Sequence, residues 1–302
     1  MRHVTMMFLW TILATGALPA QSADTLAPGR LIPATSAMET AWDLPRDPMA
    51  DTSLGASVLG REIRRGYEIF VRTPKEAPRF TGNALSCNNC HLNAGQREKA
   101  LPLVGIAAAF PEYNKRQGIL ISLEDRIVGC FLRSLNATAK GSAQPTASSR
   151  EVLAVSAYLT WLSQGRELGA LLPWRGHNTI EKKNVVPIAA LDARKGRALY
   201  VERCANCHGE DGQGVAIGDR KPGPLWGPRS WNDGAGAARV YTLAGMIRHD
   251  MPYIDPGSLT DEEAQHIAYF IDTQPRPVFP FKASDYKREA LPDDALYYHK
   301  RP

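Results

Sequence analysis

After its first eighteen residues the sequence has no apolar run near the ~20 residues a membrane-spanning helix needs, so no later segment reads as a bilayer span. It has no block of Lys and Arg interleaved with aromatics, which argues against a nucleic-acid surface. The formal charge of +5 is modest and suits attraction of a small anion better. No succession of alternating strands competes with the helical periodicity described below. Cysteine is scarce, with five in 302 residues, at positions 87, 90, 130, 204 and 207. What remains is ordinary: 44% hydrophobic and 22% charged residues, enough for packed cores in roughly two domains.

The start, MRHVTMMFLWTILATGALPAQSADT, has a short basic head (Arg2, His3) and an apolar run from Val4 to Leu18. Small residues follow, with Ala20 and Ser22 or Ala23 placed for cleavage. That is the layout of a secretory signal peptide over residues 1–23. The expectation is a mature protein in a bacterial periplasm, with no membrane span after cleavage.

Four of the five cysteines fall in two C-x-x-C-H motifs, Cys87-Asn88-Asn89-Cys90-His91 and Cys204-Ala205-Asn206-Cys207-His208. In this motif the two thiols add to the vinyl groups of a haem and the histidine presents its imidazole to the iron. A lone C-x-x-C could be half of a zinc site or a redox dithiol. Here the histidine follows at once, twice, behind an export signal. The cofactors expected are therefore two covalently bound haem c groups, with His91 and His208 as proximal iron ligands.

The segments around the motifs repeat one plan. Residues 24–57 are rich in Pro, Ala, Thr and Ser and read as an extended leader. Leu59–Val71 has apolar residues at 59, 63, 67, 70 and 71, the spacing of an amphipathic helix, and leads by a Pro- and Gly-containing loop into the first motif. A helix is expected from a Ser122 cap, with Glu124 and Asp125 in its first turn, to about Asn136. Another should open at the box Ser148-Ser149-Arg150-Glu151 and end near Gly165. After a linker, Leu191–Val201 reads as a helix into the second motif, Ala238–Arg248 as a further helix, and Thr260-Asp261-Glu262-Glu263 as the cap of a last one ending near Thr273. The fold expected is all-α: two tandem class I cytochrome c domains, residues 58–168 and 189–275, joined by a linker at 169–188 and followed by a C-terminal tail, 276–302, extended over the surface.

The distal ligands follow by elimination. In domain two, Met251 stands before Pro252, after the loop and before the closing helix, where a thioether ligand would raise the potential; His249 and Met246 are its competitors. In domain one, residues 92–176 contain neither Met nor His. The strong ligands left there are Cys130 and lysines such as Lys99, Lys115 and Lys140. Cys130 occupies the order that Met251 has in domain two. Two readings stand: a thiolate on the iron, or a buried inert thiol. On a helix Arg126, Cys130 and Ser134 share one face, with Arg133 close by. Two guanidiniums there would favour the thiolate and could hold an anion, or they could pair with haem propionates.

At this point the sequence resembles the thiosulfate dehydrogenases, periplasmic dihaem cytochromes that join two thiosulfates into tetrathionate. The matching pieces in domain one are Thr81-Gly82-Asn83, the run from Ser86 to Gly95, Arg126, Gly129-Cys130-Phe131, Arg133-Ser134 and Asn136. In domain two they are the run from Cys207 to Gly214, Pro224-Leu225-Trp226-Gly227-Pro228 and Met251-Pro252. The resemblance implies Cys130 as both distal ligand of the first haem and catalytic sulfur, Arg116, Arg126 and Ser134 as substrate-binding groups, and Met251 as ligand of the second haem. It implies thiosulfate and tetrathionate as substrate and product, and a soluble or membrane-attached cytochrome c as electron acceptor. Ala137 stands where the family more often has Gly, and the tail after Gln274 lies outside the match. Two rival functions share the dihaem plan: a non-catalytic electron carrier, and the Cys-ligated cytochrome subunit of a multienzyme sulfur-oxidising system.

Overall fold

The computed structural model describes residues 46–169, 171–218 and 221–298; the expected signal peptide and most of the leader lie outside them. Among the described residues the chain is helical, with one small hairpin, and folds as two cytochrome c domains. Domain one contains α1 (Val58–Val71), the single-turn α2 (Thr73–Glu76) and α3 (Leu92–Gly95), then α4 (Leu123–Arg133) and α5 (Arg150–Trp161). Domain two contains α6 (Ala193–Arg203), the single-turn α7 (Ala205–His208), α8 (Val240–Asp250) and α9 (Asp261–Asp272).

Each domain is closed by its first and last helices crossing at a glycine. A Cβ on Gly66 of α1 would lie 1.9 Å from the Ala154 carbonyl oxygen of α5, and one on Gly196 of α6 would lie 2.0 Å from the His266 oxygen of α9. Aromatic rings fill the space beside each crossing. Tyr158 meets Tyr67 and Phe70 at 5.6 Å between centroids, and its hydroxyl donates to the Ala94 carbonyl just past the first haem motif. Tyr200, Trp226 and Phe270 form the counterpart, at 5.3–5.7 Å. Burying each such ring contributes ~1.5–3 kcal/mol, and the crossing thereby holds each motif against a packed wall. The buried apolar residues run as one cluster through both domains.

Several local expectations change. The helix expected to reach Asn136 ends at Arg133, because Asn136 takes the left-handed conformation (φ 50°) and turns the chain away. Ala137, which follows, is buried and does not itself need positive φ, so the Gly common there in the resembling family is not required by this turn. The capping box expected at Ser148–Glu151 does not form: Ser149 is the N-cap, its hydroxyl accepts from Thr146 N instead, and Glu151 pairs with Arg79 and Arg65. A hairpin that periodicity did not show joins β1 (Glu112–Asn114) to β2 (Ile119–Ile121), with Tyr113 opposite Leu120.

The tail runs over the surface as a strap, most of its described residues exposed or half-buried, but it is anchored. Phe279, Asp285, Asp294 and Ala295 are buried, and the strap is bonded to both domains. In domain two Asp294 pairs with Arg239, and Lys282 with Asp233 at 2.6 Å. In domain one its bonds reach the hairpin and the end of α4.

Candidate functional site

The helix carrying Cys130 is placed by its own sequence. Ser122 accepts from Asp125 N while the Asp125 carboxylate accepts from Ser122 N, both at 3.1 Å, so the box holds two free N–H groups. Leu123, Ile127 and Phe131, four residues apart, form the stripe that α4 buries, and Phe131 packs edge-on against Phe80 at 6.0 Å. Arg126, Cys130 and Ser134 follow as the adjacent stripe, one residue round the helix. This stripe faces the first haem motif: a charge on Cys130 is felt at Cys87 and Cys90, and that of Arg126 at His91.

The motif residues have the character of crevice linings. By accessible surface Cys87, Cys90 and His91 are only half-buried, yet enough protein surrounds them that desolvation governs their titration. Burial pushes the Cys87 thiol up to about 12 and Cys90 to about 11. Burial, aided by Arg126, takes His91 down to about 4, so its imidazole is neutral at pH 7. Its Nδ1 lies 2.6 Å from the Leu101 carbonyl oxygen. Donation there leaves the Nε2 lone pair for a metal, with its orientation fixed by the carbonyl. The Phe70 ring flanks it at 6.2 Å. In domain two, burial raises Cys204 to about 11 and lowers His208. Nδ1 of His208 is buried and faces the Gly223 backbone without completing a hydrogen bond. Among the described residues no three His, Cys, Asp or Glu groups converge to hold a bare metal ion. Paired thiols and a neutral imidazole on a crevice wall fit covalent haem.

Met251 ends α8 in extended conformation, half-buried against the core. Of its competitors, His249 turns its Nε2 toward the Thr179 carbonyl at 3.3 Å and Met246 lies within α8. Lys99, Lys115 and Lys140 lie on loops or turns between the motif and α5.

The expected anion-binding set separates into parts. Arg126 is exposed, and its guanidinium makes no hydrogen bond or ion pair among the described residues. The Ser134 carbonyl accepts from Asn83 Nδ2 at 2.7 Å. Arg116, in the hairpin turn, donates to the Gly234 carbonyl of domain two. Arg133 is not the second cation beside Cys130. Both its terminal nitrogens go to Asp285 of the tail at 2.7 Å, one also reaches Gly234 O at 3.0 Å, and the Phe279 ring covers it at 4.0 Å. Asn232, Gly234 and Asp285 are the residues sequence reading missed. They lie in loop and tail, where no periodicity marks them.

The comparisons with known proteins follow the same division. Residues 77–168 match the family model for the SoxA/TsdA cytochrome c domain, and residues 191–271 the model for cytochrome c oxidase, cbb3-type, subunit III. The thiosulfate dehydrogenase of Allochromatium vinosum is 40% identical over 276 residues, 89% of this chain and 97% of that protein. The chain belongs to the thiosulfate dehydrogenase family. The thiosulfate dehydrogenases of Stutzerimonas stutzeri (38% identity; 77% of this chain, 73% of that one) and Psychrobacter arcticus (35%; 85% and 76%) are further relatives. Among solved structures, thiosulfate dehydrogenase (TsdBA) from Marichromatium purpuratum superposes with a TM-score of 0.70 at 33% identity, over 82% of this chain and about half (51%) of that one. Membership makes this chain a c-type cytochrome of sulfur metabolism.

Proposed function

We propose that this cytochrome couples two thiosulfates into tetrathionate at Cys130 and passes two electrons outward through domain two. The observation that carries the reading is the placement of Cys130 and the unpaired Arg126 on one stripe of α4 facing the first haem motif. His91 and Cys130 would hold the first haem iron, and His208 and Met251 the second. What bound haem supplies is a one-electron acceptor in each domain, together enough for the two electrons the coupling releases.

Two dianions must meet, and their repulsion is the barrier the protein has to lower. Arg126, held on a capped helix, presents a fixed positive charge that neutralises the first. The Cys130 thiolate bonds to its terminal sulfur, and the pair gives up two electrons, leaving a Cys130 S-thiosulfonate. A second thiosulfate attacks the sulfur bearing the sulfonate group, releases tetrathionate and returns Cys130 as thiolate. No proton is consumed. The same atoms run backward, so an electron donor of low potential would drive tetrathionate reduction. The acceptor in the forward direction is a further cytochrome c or similar carrier, and the signal-peptide layout of residues 1–23 supports a periplasmic setting.

The test is thiosulfate turnover by the purified haem-loaded protein with a chemical oxidant, product identified by ion chromatography. Cys130→Ala should lose at least ~1000-fold in rate, the scale of a missing covalent catalyst. A mutant that keeps full turnover would overturn the role of Cys130, and a haem-loaded wild type with no thiosulfate turnover would point to a plain electron carrier. Sulfur transferred only to an added carrier protein would instead point to a subunit of a multienzyme system.

A further inference from the structure

The tail after Gln274 carries no part of the reaction above, yet it is built into the walls of the site. Asp285 is fully buried, and among its partners it accepts from each terminal nitrogen of Arg133 at 2.7 Å and from the Tyr298 hydroxyl at 2.6 Å. Three residues of this strap then bond to the hairpin that bears Arg116. Tyr286 N donates to the Arg116 carbonyl at 2.7 Å, Arg288 donates to the Gly118 carbonyl at 3.0 Å, and Glu289 accepts from the Tyr113 hydroxyl at 2.8 Å. Tyr286 holds φ at 54° to do so, a conformation costly for a bulky side chain. The guanidiniums of Arg116 and Arg133 converge on one oxygen, that of Gly234. Gly234 is itself pressed against Phe279 of the strap, where an added Cβ would stand 2.7 Å from the Phe279 side chain.

We propose that Asp285 is a positioning residue for the anion site: it locks Arg133 as a neutralised strut at the end of the Cys130 helix and, through the strap, fixes the hairpin that carries Arg116. This rests on the thiosulfate reading of Cys130 and adds a role for the tail within it. The physical argument is one of charge and rigidity. Arg133 without Asp285 would be a largely buried guanidinium with an uncompensated charge at the end of the Cys130 helix, free to turn toward the incoming anion. Paired bidentately, it has one geometry, and so does the last turn of α4, which holds Ser134. Arg116 shares the Gly234 oxygen with Arg133 and its hairpin is bonded to the same strap, so the hairpin and the end of the Cys130 helix are held as one unit beside Arg126.

The experiment uses the full haem-loaded protein. Asp285→Asn keeps the shape and removes the charge. It should raise the KM for thiosulfate at least tenfold with kcat changed less than twofold and both haem spectra intact. Amide hydrogen exchange over residues 112–121 should quicken in the same variant, a readout independent of turnover. Tyr298→Phe, which removes one hydrogen bond, should raise KM about threefold and decides the matter alone if Asp285→Asn does not fold. An unchanged KM in the folded variants, with Cys130-dependent turnover normal in the wild type, overturns the role of Asp285 and leaves the thiosulfate reading standing. Absence of Cys130-dependent turnover in the wild type sinks both.

Discussion

Gly66 and Ala154 bring the backbones of α1 and α5 into contact: the Cβ of any other residue at position 66 would stand 1.9 Å from the Ala154 carbonyl oxygen. Gly196 stands in the same relation to His266, at 2.0 Å. Two opposing effects bear on replacement. Alanine is worth ~1 kcal/mol over glycine in a helix interior, while forcing atoms into a packed crossing costs about 1–3 kcal/mol or more. The obstruction here is backbone, which cannot rotate aside. Gly66→Ala and Gly196→Ala should therefore each destabilise, by at least about 1 kcal/mol in urea unfolding followed by circular dichroism. A stabilising result in either would mean the helices do not touch there.

Ser122 and Ser149, two of the serine caps of domain one, should behave differently. Ser122 bonds the first-turn N–H of α4, so Ser122→Ala should cost about 1 kcal/mol. Ser149 bonds the preceding turn rather than α5, and Ser149→Ala should cost less than half as much. Equal losses would show that Ser149 caps in solution.

Asp272 gives stability a sign with pH. Its side chain is wholly buried beside Arg276 at 3.2 Å, one oxygen has no hydrogen-bond partner among the described residues, and burial pushes the carboxyl up from 3.8 to about 8 despite the arginine. Between about pH 4 and 8 the folded chain keeps a proton that the unfolded chain has released. Stability from this group therefore falls as pH rises through that window. Asp272→Asn should flatten the fall: its Tm relative to wild type should be higher at pH 8 than at pH 5. A difference that does not change with pH would mean Asp272 is ionised throughout.

Arg126 is exposed on the Cys130 stripe, with no ion pair among the described residues. Arg126→Gln should raise the KM for thiosulfate at least tenfold and weaken its dependence on ionic strength. Arg126→Lys should recover only part of the affinity, since a point charge lacks the fork that matches oxyanion oxygens. Full recovery with lysine would show that charge alone binds the anion.

The sequence announced the helices wherever one face is apolar and one cap is local. Ser57, Ser122, Asp192 and Thr260 all serve as N-caps with side-chain hydrogen bonds to the first turn. It announced the crevice linings too, because C-x-x-C-H is covalent chemistry written in consecutive residues. The hairpin was silent, since three-residue strands give no alternation to count. So was the strap. Asp285 and Asp294 look like solvated charges until Arg133 and Arg239, 152 and 55 residues away, are placed against them. The same gap misassigned Arg133: helical spacing put it near Cys130, but spacing cannot say which partner wins a guanidinium.

Asn232 of domain two donates through its backbone N–H to the Arg133 carbonyl at 3.1 Å and through its side chain to the Leu132 carbonyl at 2.8 Å. These carbonyls belong to the last turn of α4, where a helix leaves its acceptors unsatisfied. The helix with the candidate reactive thiol thus ends on an amide supplied from beyond its own domain. Cutting the chain at the linker would strand those carbonyls. Substitutions at residues 230–234 therefore act on the end of the helix that carries Cys130, although they lie about a hundred residues from it in the chain.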